Sequence, residues 1–239
     1  MLYNIKLNNV LFLDIETVPQ FSGYDKLPER KKELWDKKAQ SLIRNEEDTP
    51  ESIYNRAGIY AEFGKIICIS TGIVHSNNSF IRLKSFYGDN EKALLNEFAG
   101  LLNKHFNDSK YLLCAHNGKE FDFPYIARRM LINGIKLPEL LNISGKKPWE
   151  VQHLDTMEMW RFGDYKAYTS LDLLTDVFNI PSPKNDIKGS DVYKVYYEEN
   201  NLERIKTYCE KDVTAIIQLM RKYLGEDLIP EQNIEVSGD

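Results

Sequence analysis

The sequence has few cysteines, no long hydrophobic run and no excess of basic residues. Its three cysteines, Cys68, Cys114 and Cys209, are far apart and form no CxxC pair, which argues against a disulfide framework and a thiolate zinc site. The apolar runs fall well short of the ~18 residues that a membrane span needs, and nothing near Met1 resembles a signal peptide. We therefore expect a soluble protein of the reducing cytoplasm.

The charge balance limits the kinds of partner that the protein can bind. The 31 basic and 36 acidic residues give a net charge of −5. This balance argues against a protein that coats duplex nucleic acid tightly through a basic surface. It does not exclude an enzyme that acts on nucleic acid, because such an enzyme needs only a local basic track.

The order of the predicted elements indicates an α/β fold. Apolar runs predict strands at "VLFL", "GKIICISTGIV", "FIRLKSFYG" and "YLLCAHN", and the second and third of these are close enough to form a hairpin. Helical spacing predicts helices at Glu91–His105, over "EFDFPYIARRMLING" with Gly134 as its C-cap, and at Leu202–Tyr223. This order favours a mixed sheet with helices packed around it.

We expect one domain over residues 1–239, because 42% hydrophobic residues can build a sizeable core and no linker is evident. The polar stretch at about 21–62 interrupts the strand pattern and is best described as a helical insertion. Its apolar residues with helical spacing are Leu34, Trp35, Ala39 and Leu42. The residues after 225 are predicted to form a short C-terminal tail.

Two acidic residues follow the first predicted strand. Asp14 and Glu16 come directly after Val10 to Leu13. Because alternate side chains of a strand point to the same face, the two carboxylates are expected to lie together, roughly 6.6 Å apart at a rise of ~3.3 Å per residue. Such a pair is strained unless something compensates for its charge.

Two further acids occupy positions typical of a site. Asp122 follows a buried strand, and Asp212 lies on the last helix, four residues after Tyr208 and therefore on the same helix face. If the four acids converged at ~5 Å, repulsion would be roughly 3 kcal/mol per pair at an effective dielectric constant of ~20. Over all pairs that would exceed the ~5 to 15 kcal/mol of a typical folding stability. Divalent cations would remove the conflict, and oxygen-only ligands select hard ions such as Mg²⁺ or Mn²⁺.

Three motifs, "FLDIET", "HNGKEFDFPYI" and "YCEKD", resemble the exonuclease motifs of the DEDD superfamily, which has a ribonuclease H-like fold. They are most similar to predicted 3′-to-5′ exonucleases related to the proofreading domain of family B DNA polymerases. The likeness runs from Val10 to about Tyr223 and includes "AEFGKIICIS", "SLDLLTDVFNIP" and "IKGSDVYKVYYEE".

The resemblance implies roles for five residues. Asp14, Glu16, Asp122 and Asp212 would be the catalytic acids that bind two divalent ions, Mg²⁺ or Mn²⁺. Tyr208 would orient the attacking water, since a phenol with an ordinary pKa near ~10 is a poor base at neutral pH. The histidine-type class has a His five residues before the last acid, where this sequence has Thr207. The resemblance is therefore to the tyrosine type.

The predicted function is metal-dependent 3′-to-5′ exonuclease activity on single-stranded nucleic acid, DNA rather than RNA, for example in DNA repair. The same chemistry on RNA stays open, because sugar preference depends on contacts that the motifs do not reveal. A non-catalytic nucleic-acid-binding module of the same fold is a second alternative. A glycosidase with two carboxylates is more remote, because it would need one protonated acid and no metal.

Several other residues have both a functional and a structural interpretation. Asn117 matches the second motif and is a candidate for binding substrate, but an Asn at the end of a strand is also an ordinary turn residue. His116 and His153 are expected to be structural, and Asp155 to cap a helix. A phosphate track is possible at scattered lysines, and Trp149 is among the aromatics that could stack on bases. These lysines are Lys146, Lys147, Lys184 and Lys188.

Overall fold

The computed structural model describes residues 5–75, 77, 79–164, 166–181 and 187–237. In these ranges the chain forms a mixed sheet surrounded by helices. The strands are β1 (Val10–Pro19), β2 (Gly64–His75), β3 (Phe80–Tyr87), β4 (Leu112–Ala115), β5 (Leu154–Asp155) and β6 (Ile234–Val236). The helices are α1 (Glu29–Ala39), α2 (Glu91–His105), α3 (Asp122–Ile132), α4 (Thr156–Arg161), α5 (Leu171–Val177), α6 (Val192–Tyr197) and α7 (Leu202–Leu224). None of the described helices combines the length and the apolar character needed to cross a bilayer.

The six strands form one sheet in the order β5-β4-β1-β2-β3-β6. The predicted hairpin is present, since β2 pairs with β3 antiparallel, and β1 pairs with β2 in the same way. Strand β4 is parallel to β1 and to β5. The carboxyl ends of β1, β4 and β5 therefore meet at one edge of the sheet, where loops can bring side chains together.

Strand β1 lies in the centre of the fold and is covered on both faces. Leu11, Leu13 and Ile15 face the core that α2 and α3 complete, whereas Val10 and Phe12 face the core formed with α7. This alternation follows from the two-residue period of a strand. It explains why the run is almost wholly apolar, because a strand covered on both faces has no solvent-facing side.

The long helices agree with the sequence prediction. Helix α2 spans the predicted residues, and α7 extends one residue beyond the predicted end. Helix α3 ends as expected near Gly134, whose positive φ of 70° allows the Ile135 N–H to donate to the Met130 carbonyl at 2.8 Å. The sequence therefore contained enough local information to define these helices.

The stretch at 21–62 contains one α-helix and short 3₁₀ turns, packed around a small apolar cluster of its own. Trp35 and Ala39 are buried as expected, but Leu34 is 40% exposed, so the predicted apolar face is narrower than its spacing suggested. Hydroxyl groups connect this stretch to the rest of the protein. The Tyr125 hydroxyl donates to the Gly58 carbonyl at 2.6 Å, and the Tyr193 hydroxyl donates to the Ser22 carbonyl at 2.5 Å.

The segment after Gly225 is more ordered than the predicted tail. Its last strand, β6, pairs parallel with β3 and adds an edge to the sheet. Ile229 is 3% exposed, and the Gln218 side chain hydrogen bonds to both its N–H and its carbonyl. These two hydrogen bonds attach the segment to α7 before the chain reaches the sheet. The prediction of a tail is corrected accordingly.

Candidate active site

Strand β1 carries Asp14 and Glu16 on the face that packs against α7. Both acids lie within the strand, which continues to Pro19, whereas the sequence suggested that they followed its end. The pairing between β1 and β2 shifts register directly after Glu16, as at a β-bulge. Such irregularities are common beside active sites because they redirect side chains. Glu16 is 8% exposed, and Asp14 is partly buried.

Asp122 is the first residue of α3 and is 3% exposed. The ladder between β1 and β4 ends at the Phe12–Cys114 pair. Farther along β1, the Ile15 N–H donates a hydrogen bond to the Asp122 carboxylate. Asp122 lies close enough to the two acids of β1 for its charge to raise the pKa of both Asp14 and Glu16.

Helix α7 contributes three side chains, Tyr208, Cys209 and Asp212. The Tyr208 hydroxyl donates a hydrogen bond to the Asp212 carboxylate, as the four-residue spacing allows. The Cys209 sulfur lies 3.4 Å from the backbone carbonyl oxygen of Asp14 and 3.4 Å from its carboxylate oxygen Oδ2, and the thiol can donate to either oxygen. Helix α7 therefore meets β1 through direct side-chain contacts at the site.

The electrostatics of the site are those of crowded acids. Burial raises the pKa of Asp14 and of Glu16 well above the ordinary range, and neighbouring carboxylates raise both further. Burial also raises the pKa of Asp122 to about 7. The pKa of Asp212 rises to about 6 for the same reason, although the hydrogen bond from Tyr208 opposes the change. Burial and then the charge of Asp212 raise the pKa of the Tyr208 phenol, which stays protonated at neutral pH.

The donor atoms of this cluster suit a divalent cation. One ligand atom from each of Asp14, Glu16 and Cys209 lies within 4.8 Å of the others. The buried Glu16 carboxylate accepts no hydrogen bond from any side chain or backbone group in the described part of the chain. A buried carboxylate without a donor is costly unless a cation compensates for it. The arrangement of the acids thus fits a metal site.

Asp155 supports the loop between β4 and α3. It caps α4 as predicted, accepting hydrogen bonds from the N–H groups of Met157 and Glu158. The same carboxylate also accepts hydrogen bonds from the N–H groups of Asn117 and Lys119, each at 3.0 Å. This second role was missed from the sequence. The only local signal was the Asn117-Gly118 pair, which predicts a turn but does not indicate which side chain stabilises it.

Asn117 occupies the turn that Asp155 holds. Its φ of 64° lies in the left-handed region, which Asn tolerates better than most residues. A side chain on the next residue, Gly118, would place its Cβ 2.4 Å from the Ala115 Cβ, so only glycine fits there. The Asn117 Oδ1 atom is buried and has no hydrogen-bond partner among the described residues. Its predicted contact with substrate remains a prediction.

The two histidines have structural partners. The His116 ring lies 2.9 Å from the Thr156 hydroxyl through Nδ1 and 2.9 Å from the Thr169 carbonyl through Nε2. The His153 ring accepts from the Leu113 N–H at 3.2 Å and lies 2.7 Å from the Leu140 carbonyl. These contacts agree with the structural role predicted for both residues.

A groove of about 680 Å³ lies beside the Asn117 turn, between α3, α4 and the loop before β5. Arg128, Lys146 and Trp149 line it, and Trp149 is 77% exposed. Neither Arg128 nor Lys146 forms an ion pair with another residue that the structure describes. Of the other predicted track lysines, Lys147 lies against the Trp149 ring, Lys188 is exposed, and Lys184 falls outside the described residues.

The profile of a family described as predicted 3′-5′ exonucleases related to the exonuclease domain of PolB matches residues 59–227, more than half of the sequence. The chain belongs to this family. Asn117, Asp122, Tyr208 and Asp212 lie within the matched range, whereas Asp14 and Glu16 precede it.

A solved structure shows the same architecture. The chain is similar to the family B DNA polymerase from the hyperthermophilic archaeon Pyrobaculum calidifontis, with a TM-score of 0.53 at 16% sequence identity. The similarity covers 90% of this chain and 24% of the polymerase chain, so it concerns about a quarter of that protein. It confirms the predicted ribonuclease H-like α/β fold.

Proposed function

We propose that this protein is a metal-dependent 3′-to-5′ exonuclease that releases 5′-mononucleotides from the 3′ end of single-stranded nucleic acid, with DNA as the preferred substrate. The observation that carries the proposal is the meeting of Asp14, Glu16, Asp122 and Asp212 in one mostly buried cluster. Membership of a family related to a DNA polymerase exonuclease domain supports DNA over RNA.

The four carboxylates would hold two hard divalent cations, Mg²⁺ or Mn²⁺, because oxygen-only donor sets favour these ions. When bound, the ions would make the attacking water more acidic and stabilise the charge on the leaving oxygen. The backbone N–H groups of Asp122 and Ile15 would help to hold the Asp122 carboxylate in the cluster. The raised pKa values of the acids describe the protein without cations, and bound cations would keep the acids ionised.

Tyr208 would orient the nucleophile. Its phenol stays protonated and already donates a hydrogen bond to Asp212, so it acts as a fixed donor and not as a base. In the reaction, the water oxygen forms a bond to the terminal phosphorus and the bond between phosphorus and the 3′ oxygen breaks. The water loses a proton to solvent, and the leaving 3′ oxygen takes one up.

The groove beside Asn117 supports a single strand as the substrate. Exposed Trp149 offers a ring on which a base can stack, and Arg128 and Lys146 offer positive charge for the backbone phosphates. The unpartnered Asn117 Oδ1 can accept a hydrogen bond from the nucleotide next to the acids. Replacing Trp149 with Ala should raise KM for a single strand at least about fivefold and leave kcat unchanged.

The decisive experiment uses matched 5′-labelled DNA and RNA oligonucleotides, single-stranded and duplex, with Mg²⁺, Mn²⁺ or EDTA. We expect stepwise shortening of single-stranded DNA from the 3′ end with either ion, and none with EDTA. Faster shortening of RNA would identify an exoribonuclease. Binding without shortening would indicate a non-catalytic module, and activity that survives EDTA would contradict the metal site.

Variants assign the activity to this site. Asp14→Ala and Asp212→Ala should abolish shortening while keeping the fold. The control is Glu97→Ala, which removes an exposed acid from α2. If either site variant digests DNA as fast as the parent protein, the assignment of the site is wrong.

A further inference from the structure

We propose that Cys209, Asp14 and Glu16 form a site for a thiophilic divalent cation of the Zn²⁺ class, and that occupation of this site inhibits the nuclease. The inhibition rests on the proposed function, whereas the binding does not. The inference starts from a feature that the proposed mechanism does not use, namely a sulfur atom that contacts Asp14 and lies within 4.8 Å of a Glu16 carboxylate oxygen.

The spacing of the donor atoms suits a small ion with mixed ligands. An ion that binds sulfur at ~2.3 Å and a carboxylate oxygen at ~2.1 Å separates the two atoms by about 3.6 Å in tetrahedral geometry. The Cys209 Sγ lies 3.4 Å from the Asp14 Oδ2, and the set with Glu16 stays within 4.8 Å. Small side-chain movements would therefore be enough to bind the ion.

The Glu16 carboxylate is the second, independent indication of a ligand. Its residue is 8% exposed, and it lacks a hydrogen-bond donor within the described residues. It has the hydrogen-bonded pair of Cys209 and Asp14 beside it. A cation bound between the three groups would satisfy Glu16 and replace the thiol proton, which would pass to solvent.

The donor set determines which ion binds in this way. A thiolate favours Zn²⁺ and related soft ions over Mg²⁺, whose preferred ligands are oxygen atoms. An ion held by Cys209 would occupy Asp14 and Glu16, the two acids that β1 offers to the hard ions. Zn²⁺ would thus remove ligands from the reaction without contacting the substrate strand.

The test uses Cd²⁺ alone as a spectroscopic substitute for Zn²⁺, added to the full chain. Binding through sulfur gives an ultraviolet sulfur-to-cadmium charge-transfer band. We expect the band in the parent protein and its loss in Cys209→Ser, which keeps the side-chain size and the capacity to donate to Asp14. The control is Cys114→Ser, because Cys114 is equally buried but lies in β4, outside the cluster.

The outcomes separate this inference from the proposed nuclease. A band that is absent from the parent, or that persists in folded Cys209→Ser, overturns the site whatever the nuclease activity. If the band behaves as expected and the parent is an active nuclease, Zn²⁺ should inhibit it. Cys209→Ser should then need at least about tenfold more Zn²⁺ for the same inhibition, since even an outer ligand is worth that much. Equal inhibition of the parent and the variant would overturn the inhibitory role.

Discussion

The buried charges around Glu91 differ from those around Asp14 in how they are compensated. Glu91 and Arg129, both less than 10% exposed, form a pair in which the Arg129 Nε donates to the Glu91 Oε1 at 2.8 Å. The Glu91 carboxylate also accepts from the N–H of Ile66 and the side chain of Asn133. Of the other two Arg129 nitrogens, Nη2 donates to the Glu91 Oε2 at 2.5 Å and Nη1 donates to the Ala61 carbonyl at 2.8 Å. Every charge in this cluster has a partner.

The cluster around Asp14 contains four acids and no basic residue that forms an ion pair with them among the residues described. Its donors are few: the backbone N–H groups of Asp122 and Ile15, the Tyr208 hydroxyl and the Cys209 thiol. The first cluster joins α2, α3 and β2 into one body, and the second leaves a negative charge that a cation would balance. Buried charge alone therefore does not distinguish the two clusters, whereas the lack of compensating charge makes the second cluster the candidate site.

The largest effect should come from unbalancing the first cluster. Replacing Arg129 with Met leaves Glu91 buried without its partner, and we expect a loss of about 3 to 5 kcal/mol in the free energy of unfolding. Urea unfolding measures it. The double variant Glu91→Leu with Arg129→Met should recover part of the loss, and a double variant that is less stable still would contradict this account.

In the second cluster, in contrast, removing a charged group should stabilise the metal-free protein. Asp122→Asn should reduce exonuclease activity by about 10³-fold, the scale on which preorganised charge acts at active sites. In EDTA, the same variant should unfold at a higher temperature than the parent, because one repelling charge is gone. Glu97→Gln, an acid-to-amide change on the surface of α2, is the control for both measurements.

The stabilisation of Asp122→Asn in EDTA should depend on pH. The pKa of Asp122 in the folded protein is about 7, above the 3.8 of an ordinary Asp, so folding favours its protonated form. The penalty for ionised Asp122 is then fully present above pH 7, at most about 4 kcal/mol, and disappears as the pH falls toward 4. The difference in Tm between variant and parent should shrink from pH 8 to pH 5. A constant difference would contradict the raised pKa.

The smallest effect should come from Tyr208→Phe, which removes a donor but no charge. We expect kcat to fall between about 10-fold and 100-fold, with the dependence on Mn²⁺ concentration nearly unchanged. Tyr193→Phe is the control, because it removes a phenol hydroxyl that donates to the Ser22 carbonyl away from the acids. An unchanged kcat would remove Tyr208 from the mechanism.

The sequence was sufficient to predict the features that depend on residues close together along the chain. The two-residue period of β1 predicted that Asp14 and Glu16 share a face, and helical spacing predicted α2 and α7 almost to the residue. The four-residue interval between Tyr208 and Asp212 predicted the contact that the structure contains.

Contacts between segments that are distant in the sequence could not be predicted from local sequence patterns. Nothing around Asp155 indicates that its carboxylate also holds the turn at Asn117, because that contact depends on β4 and β5 lying side by side. Strand β6 has three residues, too few for a periodic signal, and its position is defined by its pairing with the distant strand β3. The contact between Cys209 and Asp14 likewise arises only when α7 packs across β1.

Helix α7 carries Tyr208, Cys209 and Asp212 on a single rigid rod of 23 residues. Helix geometry therefore sets the relative positions of these three residues, and none of them can shift along the helix independently of the others. One extra residue inserted between Tyr208 and Asp212 would rotate one relative to the other by about 100°, a turn that no side-chain rotamer can undo. Point substitutions can change the chemistry of these three side chains, but an insertion or deletion between them should destroy the geometry of the site.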